Sequence, residues 1–325
     1  MELLDGFNRK VNYLRLSVTD RCNLRCRYCM PAEGVAKLEH DDILSYEELH
    51  CVAKAAVSLG IEKIRITGGE PLVRKGLIPF LSELSRLPGL KELVLTTNGI
   101  LLPELAPDLK AAGVKRVNIS LDTLQPERFR RITRCGDLTQ VLAGIAAAEA
   151  AGLAVKLNMV VMRGINDDEV VDFAAMTLDK AQSVRFIEYM PNIQDAGWQE
   201  QVVCGEEILA RIGEKYAYQA LSRGALCGPS RDYRLDGAAG TFGIITPISS
   251  HFCDSCNRIR VTATGKARSC LFSGEAVDLR PALHGGDVPA VRRTLLDIVK
   301  GKASGHHLDE ESERGPAFSM STIGG

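Results

Sequence analysis

The residues best suited to chemistry in this sequence are its cysteines, and six of the ten stand in two tight groups. Cys22, Cys26 and Cys29 lie in DRCNLRCRYCMP as a CxxxCxxC run. In SSHFCDSCNRIRVTATGKARSCLF, Cys253 and Cys256 form a CxxC, and Cys270 follows after thirteen intervening residues. Three thiolates on a short loop can grip one face of an iron–sulfur cubane and leave one iron without a protein ligand. An electron-transfer [4Fe–4S] cluster takes four cysteines instead. An open iron serves a reaction in which a small molecule must chelate the metal. Zinc accepts similar spacings and stands as the alternative for both groups. For the first group it would need a fourth ligand, and the nearest histidine is His40, beyond a proline. For the second, His251 or Cys227 could close a zinc site, and spacing alone leaves the two metals evenly matched. Cys51, Cys135, Cys204 and Cys227 are scattered and receive no role.

Arginines flank the second group. Arg258 and Arg260 alternate along a predicted strand and so project from one face. With a three-residue turn ending in Gly265, Arg268 faces Arg260 across the hairpin. Crowded guanidiniums repel unless an anion joins them; a solvated strand face is the bland alternative. Beside an open-iron cluster an anionic substrate explains them better, because the planar guanidinium fork suits phosphate. Arg15, Arg65 and Lys156 lie within other predicted strands, where lone cations are costly to bury. An enclosed anion accounts for them, as would ion pairs with Glu70 or Glu188.

These residues need a scaffold. Short β-rich runs occur at 13–18, 62–67, 92–97, 115–120, 154–161 and 183–188. Helical patterns separate them at 46–59, 77–87, 103–112, 139–151 and 168–178, and Gly60, Gly113 and Gly152 stand where helices end. Alternating strands and helices imply parallel βα units. No GxGxxG follows the first strand, which argues against a dinucleotide-binding sheet. The expected fold is α/β: a partial (β/α) barrel of about six parallel strands, with chemistry at their C-terminal ends. Beyond residue 190 the short β segments 231–235, 241–247, 258–263 and 266–272 read as a smaller unit that closes the open side. The expected division is 1–215 and 216–325. The net charge of -1 excludes a generally basic nucleic-acid or membrane-surface protein. No export signal or membrane-spanning run is apparent, so a cytoplasmic protein with thiols, not disulfides, is expected.

CxxxCxxC after the first strand, with Tyr28 before the last cysteine, resembles the signature of radical S-adenosylmethionine (SAM) enzymes. That resemblance implies that the amino and carboxyl groups of SAM chelate the open iron. One electron then splits SAM into methionine and a 5′-deoxyadenosyl radical. It places Tyr28 against the adenine and assigns SAM contacts to Gly68 and Gly69 of ITGGEP, to Ser120 and to Met190. Within the superfamily the chain is similar to the GTP 3′,8-cyclase family of molybdenum cofactor biosynthesis, a family of lyases. The likeness is carried by YLRLSVTDRCNLRCRYCMP, KIRITGGEPLVRK, LTTNGILL, RVNISLDTL, FCDSCNRIR and MSTIGG. It implies a second [4Fe–4S] cluster on Cys253, Cys256 and Cys270 whose open iron meets the guanine. GTP contacts then fall on Arg15, Arg65, Thr96, Lys156, Arg258, Ile259 and Arg260, with Arg268 nearby. Arg15, Arg258, Arg260 and the terminal Gly324 and Gly325 take part in the radical chemistry. The same resemblance implies an electron donor, delivery to cyclic pyranopterin monophosphate synthase and the option of a homodimer. The rival readings are another radical SAM enzyme with an auxiliary cluster and a zinc-binding interaction protein.

Overall fold

The structure, a computed structural model, describes residues 2–35, 38–190, 197–222, 224, 226, 228–273 and 276–305. All six expected strands form: β1 (Tyr13–Ser17), β2 (Lys63–Thr67), β3 (Glu92–Thr97), β4 (Arg116–Ser120), β5 (Ala154–Val161) and β6 (Ser183–Glu188). They are paired in sequence order, each parallel to the next. The intervening helices are α1 (Tyr46–Leu59), α2 (Leu77–Ser85), α3 (Leu102–Ala111), α4 (Pro126–Thr133), α5 (Leu138–Ala150) and α6 (Val170–Asp179). The ends of α1 show why they form where they do. Ser45 and Glu48 make a reciprocal capping box at its start, and Gly60, at φ 112°, stops it in the left-handed conformation. Helix α4, which buries Phe129 and Ile132, is an addition to the expected helices.

The later strands do not build a sheet of their own among the described residues. After α7 (Gly205–Gly213) come β7 (Tyr218–Ala220), β8 (Arg231–Leu235) and β9 (Thr241–Ile245). Then follow β10 (Arg258–Val261), β11 (Lys266–Arg268) and β12 (Val277–Asp278), and finally α8 (Arg280–Leu283) and α9 (Val288–Lys300). Strand β10 pairs parallel with β1, and β9 pairs parallel with β6. The full order is β12-β11-β10-β1-β2-β3-β4-β5-β6-β9-β8-β7. The separate unit expected from the sequence is therefore grafted onto both edges of one sheet. The physical reason is the edge itself: β1 and β6 present unpaired backbone groups that another strand satisfies. This parallel pairing puts the second cysteine group, which precedes β10, and the first, which follows β1, at opposite ends of neighbouring strands.

Close packing of α5 supplies a test of the scaffold. A Cβ on Gly144 would lie 2.1 Å from the backbone oxygen of Gly99 in the β3–α3 connection. Backbone yields poorly, so Gly144→Ala is expected to destabilise the protein by about 1–3 kcal/mol. A thermal or urea unfolding midpoint equal to that of the parent would contradict this.

Candidate active site

The loop after β1 is wound tightly around its cysteines. The carbonyl of Cys26 accepts from the N–H groups of Cys29 (2.9 Å) and Met30 (3.1 Å). The Arg25 side chain donates to the carbonyls of Cys22 and Leu24. The N–H groups of Arg25 and Arg27 reach the carbonyls of Thr133 and Ile132, tying the loop to α4. Cys253 and Cys256 sit on a single 3-10 turn, Cys253–Ser255, closed by Cys256 N–H donating to Cys253 O at 3.0 Å, and Cys270 follows β11. Arg9 also donates to that carbonyl, at 2.9 Å.

All six cysteines line one cavity of ≈ 280 Å³. Among the described residues no three His, Cys, Asp or Glu side chains are gathered closely enough to hold a metal ion. His251 has its Nδ1 3.0 Å from the carbonyl of Pro247. Cys227, the other candidate closer, lies outside the described residues.

The two trios differ in electrostatics. Burial pushes the thiols of Cys22 and Cys29 up to about 11 and about 12, and raises that of Cys26 as well. Burial also acts to raise Cys256, but the cations of Arg258 and Lys302 outweigh it and bring that thiol down to about 6. A metal ligand must be a thiolate, so the first trio needs the positive charge that a cluster brings.

Five arginines line the same cavity: Arg15, Arg65, Arg185, Arg258 and Arg260. Register explains their convergence, since Arg15 stands opposite Arg260 on one side and Arg65 on the other. Burial first, then neighbouring arginines, lowers the guanidiniums of Arg260 and Arg185 to about 10. The acids that might have neutralised them are engaged elsewhere. Glu70 accepts from Thr97 Oγ1 (2.9 Å) and the N–H groups of Asn98 and Leu72. Glu188 accepts from the N–H groups of Gly205, Ile248 and Ser249. The cavity also holds buried polar atoms with no hydrogen-bond partner: Thr96 Oγ1, Asn158 Oδ1 and Arg185 Nε. Each such atom costs about 1–3 kcal/mol. A cavity built this way fits a polar, anionic ligand, and its thiols are of the kind that iron–sulfur clusters take.

Tyr28, Gly68, Gly69, Ser120, Met190 and Thr96 also line it. The glycines are required by protein backbone as much as by a ligand. A Cβ on Gly68 would meet Thr19 O at 2.4 Å, and one on Gly69 would meet Arg21 O at 2.4 Å. They let the end of β2 lie directly against the cysteine loop. Three expected residues stand apart. Ile259 is buried in the apolar core, on the face of β10 opposite Arg258 and Arg260. Arg268 pairs with Arg260 in the β10–β11 register, yet its guanidinium donates to Ser273 O. Lys156 does not line the cavity but shares a face of β5 with Asn158, which does. Gly324 and Gly325 lie outside the described residues.

Two site residues escaped the sequence reading. Arg185, in SVRFIE, is one more cation inside a strand, the same signal that marked Arg15 and Arg65. Asp122 gave no signal. It is buried at the end of β4, which raises it to about 6, and accepts from Tyr28 OH at 2.8 Å.

The Radical SAM superfamily profile matches residues 16–177, and that of Molybdenum Cofactor Synthesis C matches 182–308. The chain is 60% identical to a GTP 3′,8-cyclase from Geobacter sulfurreducens, over 100% of both chains. It is 49% identical to one from Moorella thermoacetica, over 99% of each. Among solved structures it resembles Streptococcus suis SuiB bound to S-adenosylmethionine, with a TM-score of 0.57 at 15% identity. That match covers 84% of this chain and 62% of the other, and shows the fold alone. End-to-end identity at this level, together with six thiols around one arginine-lined cavity, means that the chain belongs to the GTP 3′,8-cyclase family of radical SAM enzymes.

Proposed function

We propose that the protein cleaves SAM reductively and uses the product to join C3′ of GTP to C8 of its guanine, an early step of molybdenum cofactor biosynthesis. The observation that carries this reading is the single cavity shared by both cysteine trios and five arginines. When bound, the clusters and SAM supply the 5′-deoxyadenosyl radical that takes the 3′ hydrogen. The chain supplies position and exclusion of water. Cys22, Cys26 and Cys29 would hold the first cluster, and Cys253, Cys256 and Cys270 the second, each with one iron open. Tyr28, Gly68, Gly69, Ser120 and Met190 would receive SAM. Arg15, Arg65, Thr96, Arg258 and Arg260 would hold GTP, with Lys156 and Arg268 beside them. Ile259 would contribute through its backbone. Gly324 and Gly325 enter on the family resemblance. The same reading treats the sheet as a partial barrel, with residues 1–215 as the SAM-cleaving unit and 216–325 closing its open side. The product passes to cyclic pyranopterin monophosphate synthase.

Anaerobic incubation of the reconstituted protein with SAM, GTP and dithionite, followed by mass spectrometry, tests this. The expected products are 5′-deoxyadenosine and a cyclised nucleotide. 5′-Deoxyadenosine alone would favour another radical SAM reaction. A colourless, zinc-containing protein without iron would favour the interaction-module reading.

Lys156 gives a pH signature. Burial, then Arg185, lowers its ammonium to about 7. A bound triphosphate favours the charged form, so binding takes up a proton between pH 7 and the higher value in the complex. GTP affinity should therefore fall as pH rises above 7, by up to about tenfold per unit. Lys156→Met is expected to flatten that slope in calorimetric titrations relative to the parent. An identical slope in both proteins would remove Lys156 from the phosphate site.

A further inference from the structure

A second cavity, of ≈ 530 Å³, opens on the other side of the first cysteine loop. Arg27, Arg131 and Arg134 line it together with Tyr28, Tyr189 and Gln201. Tyr28 is a wall common to both cavities. The arginine face therefore adjoins the loop that carries Cys26 and Cys29. Arg134 braces that loop, donating to the carbonyls of Arg25 and Met30 at 2.9 Å each. Arg27, Arg130 and Arg131 are exposed, and among the described residues none of the three has a salt-bridge partner. The nearby Arg128 differs, being neutralised by Asp168 and Glu169. Asp137, which feels the charge of Arg130, caps α5 by accepting from Thr139 N–H at 2.9 Å. In a chain with a net charge of -1, this is a local concentration of positive charge beside the first thiol trio.

We propose that this arginine face is the docking surface for an acidic one-electron carrier protein that reduces the first cluster. The inference rests on the reading given under Proposed function, in which each SAM cleaved consumes one electron. In the transfer itself one electron leaves the carrier's reduced centre and enters the cluster held by Cys22, Cys26 and Cys29. The carrier is oxidised by one electron, the cluster is reduced by one, and no bond or proton moves. Exposed guanidiniums suit the work because their forks pair with surface carboxylates and their field steers an acidic partner into place. Such contacts are weakened by salt, since the screening length falls to a few ångströms at high ionic strength.

The test uses the reconstituted holoenzyme and chemically reduced flavodoxin as the acidic carrier. Binding is read by interferometry at low and high salt, and 5′-deoxyadenosine formation is read with flavodoxin or with dithionite. The parent should lose about tenfold or more in affinity from 50 to 300 mM salt. Arg131→Glu, and the double variant Arg27→Glu/Arg131→Glu, should each weaken flavodoxin binding by about tenfold or more and slow flavodoxin-driven cleavage alike. Dithionite-driven cleavage should not change, and Arg27→Lys/Arg131→Lys should recover most of the binding. Undiminished flavodoxin binding by the charge-reversed variants would overturn the proposal. So would a parallel loss with dithionite, which would instead make this cavity a small-ligand site. Failure of the parent to form 5′-deoxyadenosine with dithionite would sink the enzymatic reading, while binding, read without turnover, still decides the docking surface.

Discussion

Cys26→Ala is expected to abolish 5′-deoxyadenosine formation, down to the level of a protein-free control, and to remove one cluster's worth of iron while leaving the other. Cys26 has the central place in the first loop: its carbonyl anchors the turn that brings Cys29 alongside, and its thiol lines the shared cavity. Losing one of the three thiolates leaves two irons open and a cluster held by two sulfurs. Cys256→Ala provides the contrast. That thiol is already favoured as thiolate by Arg258 and Lys302, against the pull of burial, and belongs to the trio proposed to meet the base. Its loss should spare SAM cleavage and abolish the cyclised nucleotide. Iron-to-protein ratios with product analysis separate the two variants. If both trios proved equally necessary for SAM cleavage, the division of labour between them would have to be abandoned.

The second large effect concerns the paired arginines of β10. Arg258→Ala/Arg260→Ala should weaken GTP binding by about 10²–10⁴-fold, taking about 1.5–3 kcal/mol for each charged hydrogen-bonding group removed. Cleavage of SAM should persist, because neither side chain belongs to the first loop. The ligand-free double variant should also melt no lower than the parent, and higher if repulsion dominates. Arg260 stands opposite Arg15, and burial first, then the Arg258 cation, lowers its guanidinium to about 10. Stability sacrificed at a binding site returns when the site is removed. Calorimetry with GTP and thermal melts without it read both parts. Full GTP affinity in the variant would place the triphosphate elsewhere.

The sequence by itself determined the local facts. Thiol spacing fixed two three-cysteine loops, and period-two and helical patterns fixed six strands and most of the helices around them. Arginines inside apolar strands signalled an enclosed anion, because an unneutralised buried cation is too costly to keep without one. Only the tertiary structure decided how these parts meet. Nothing local in FCDSCNRIR says that its strand pairs parallel with β1, since strand pairing depends on which edge is left vacant once the other strands have joined. That one pairing sets Arg15 opposite Arg260 and turns two distant cysteine groups toward one cavity. Tertiary structure also engaged Glu70 and Glu188 with backbone N–H groups instead of with the cavity arginines. It showed that Gly68 and Gly69 are needed for close backbone packing, a constraint that exists only when the end of β2 lies against the loop after β1. Sequence specifies the chemistry each segment can carry. Long-range contact decides which of those chemistries share a chamber.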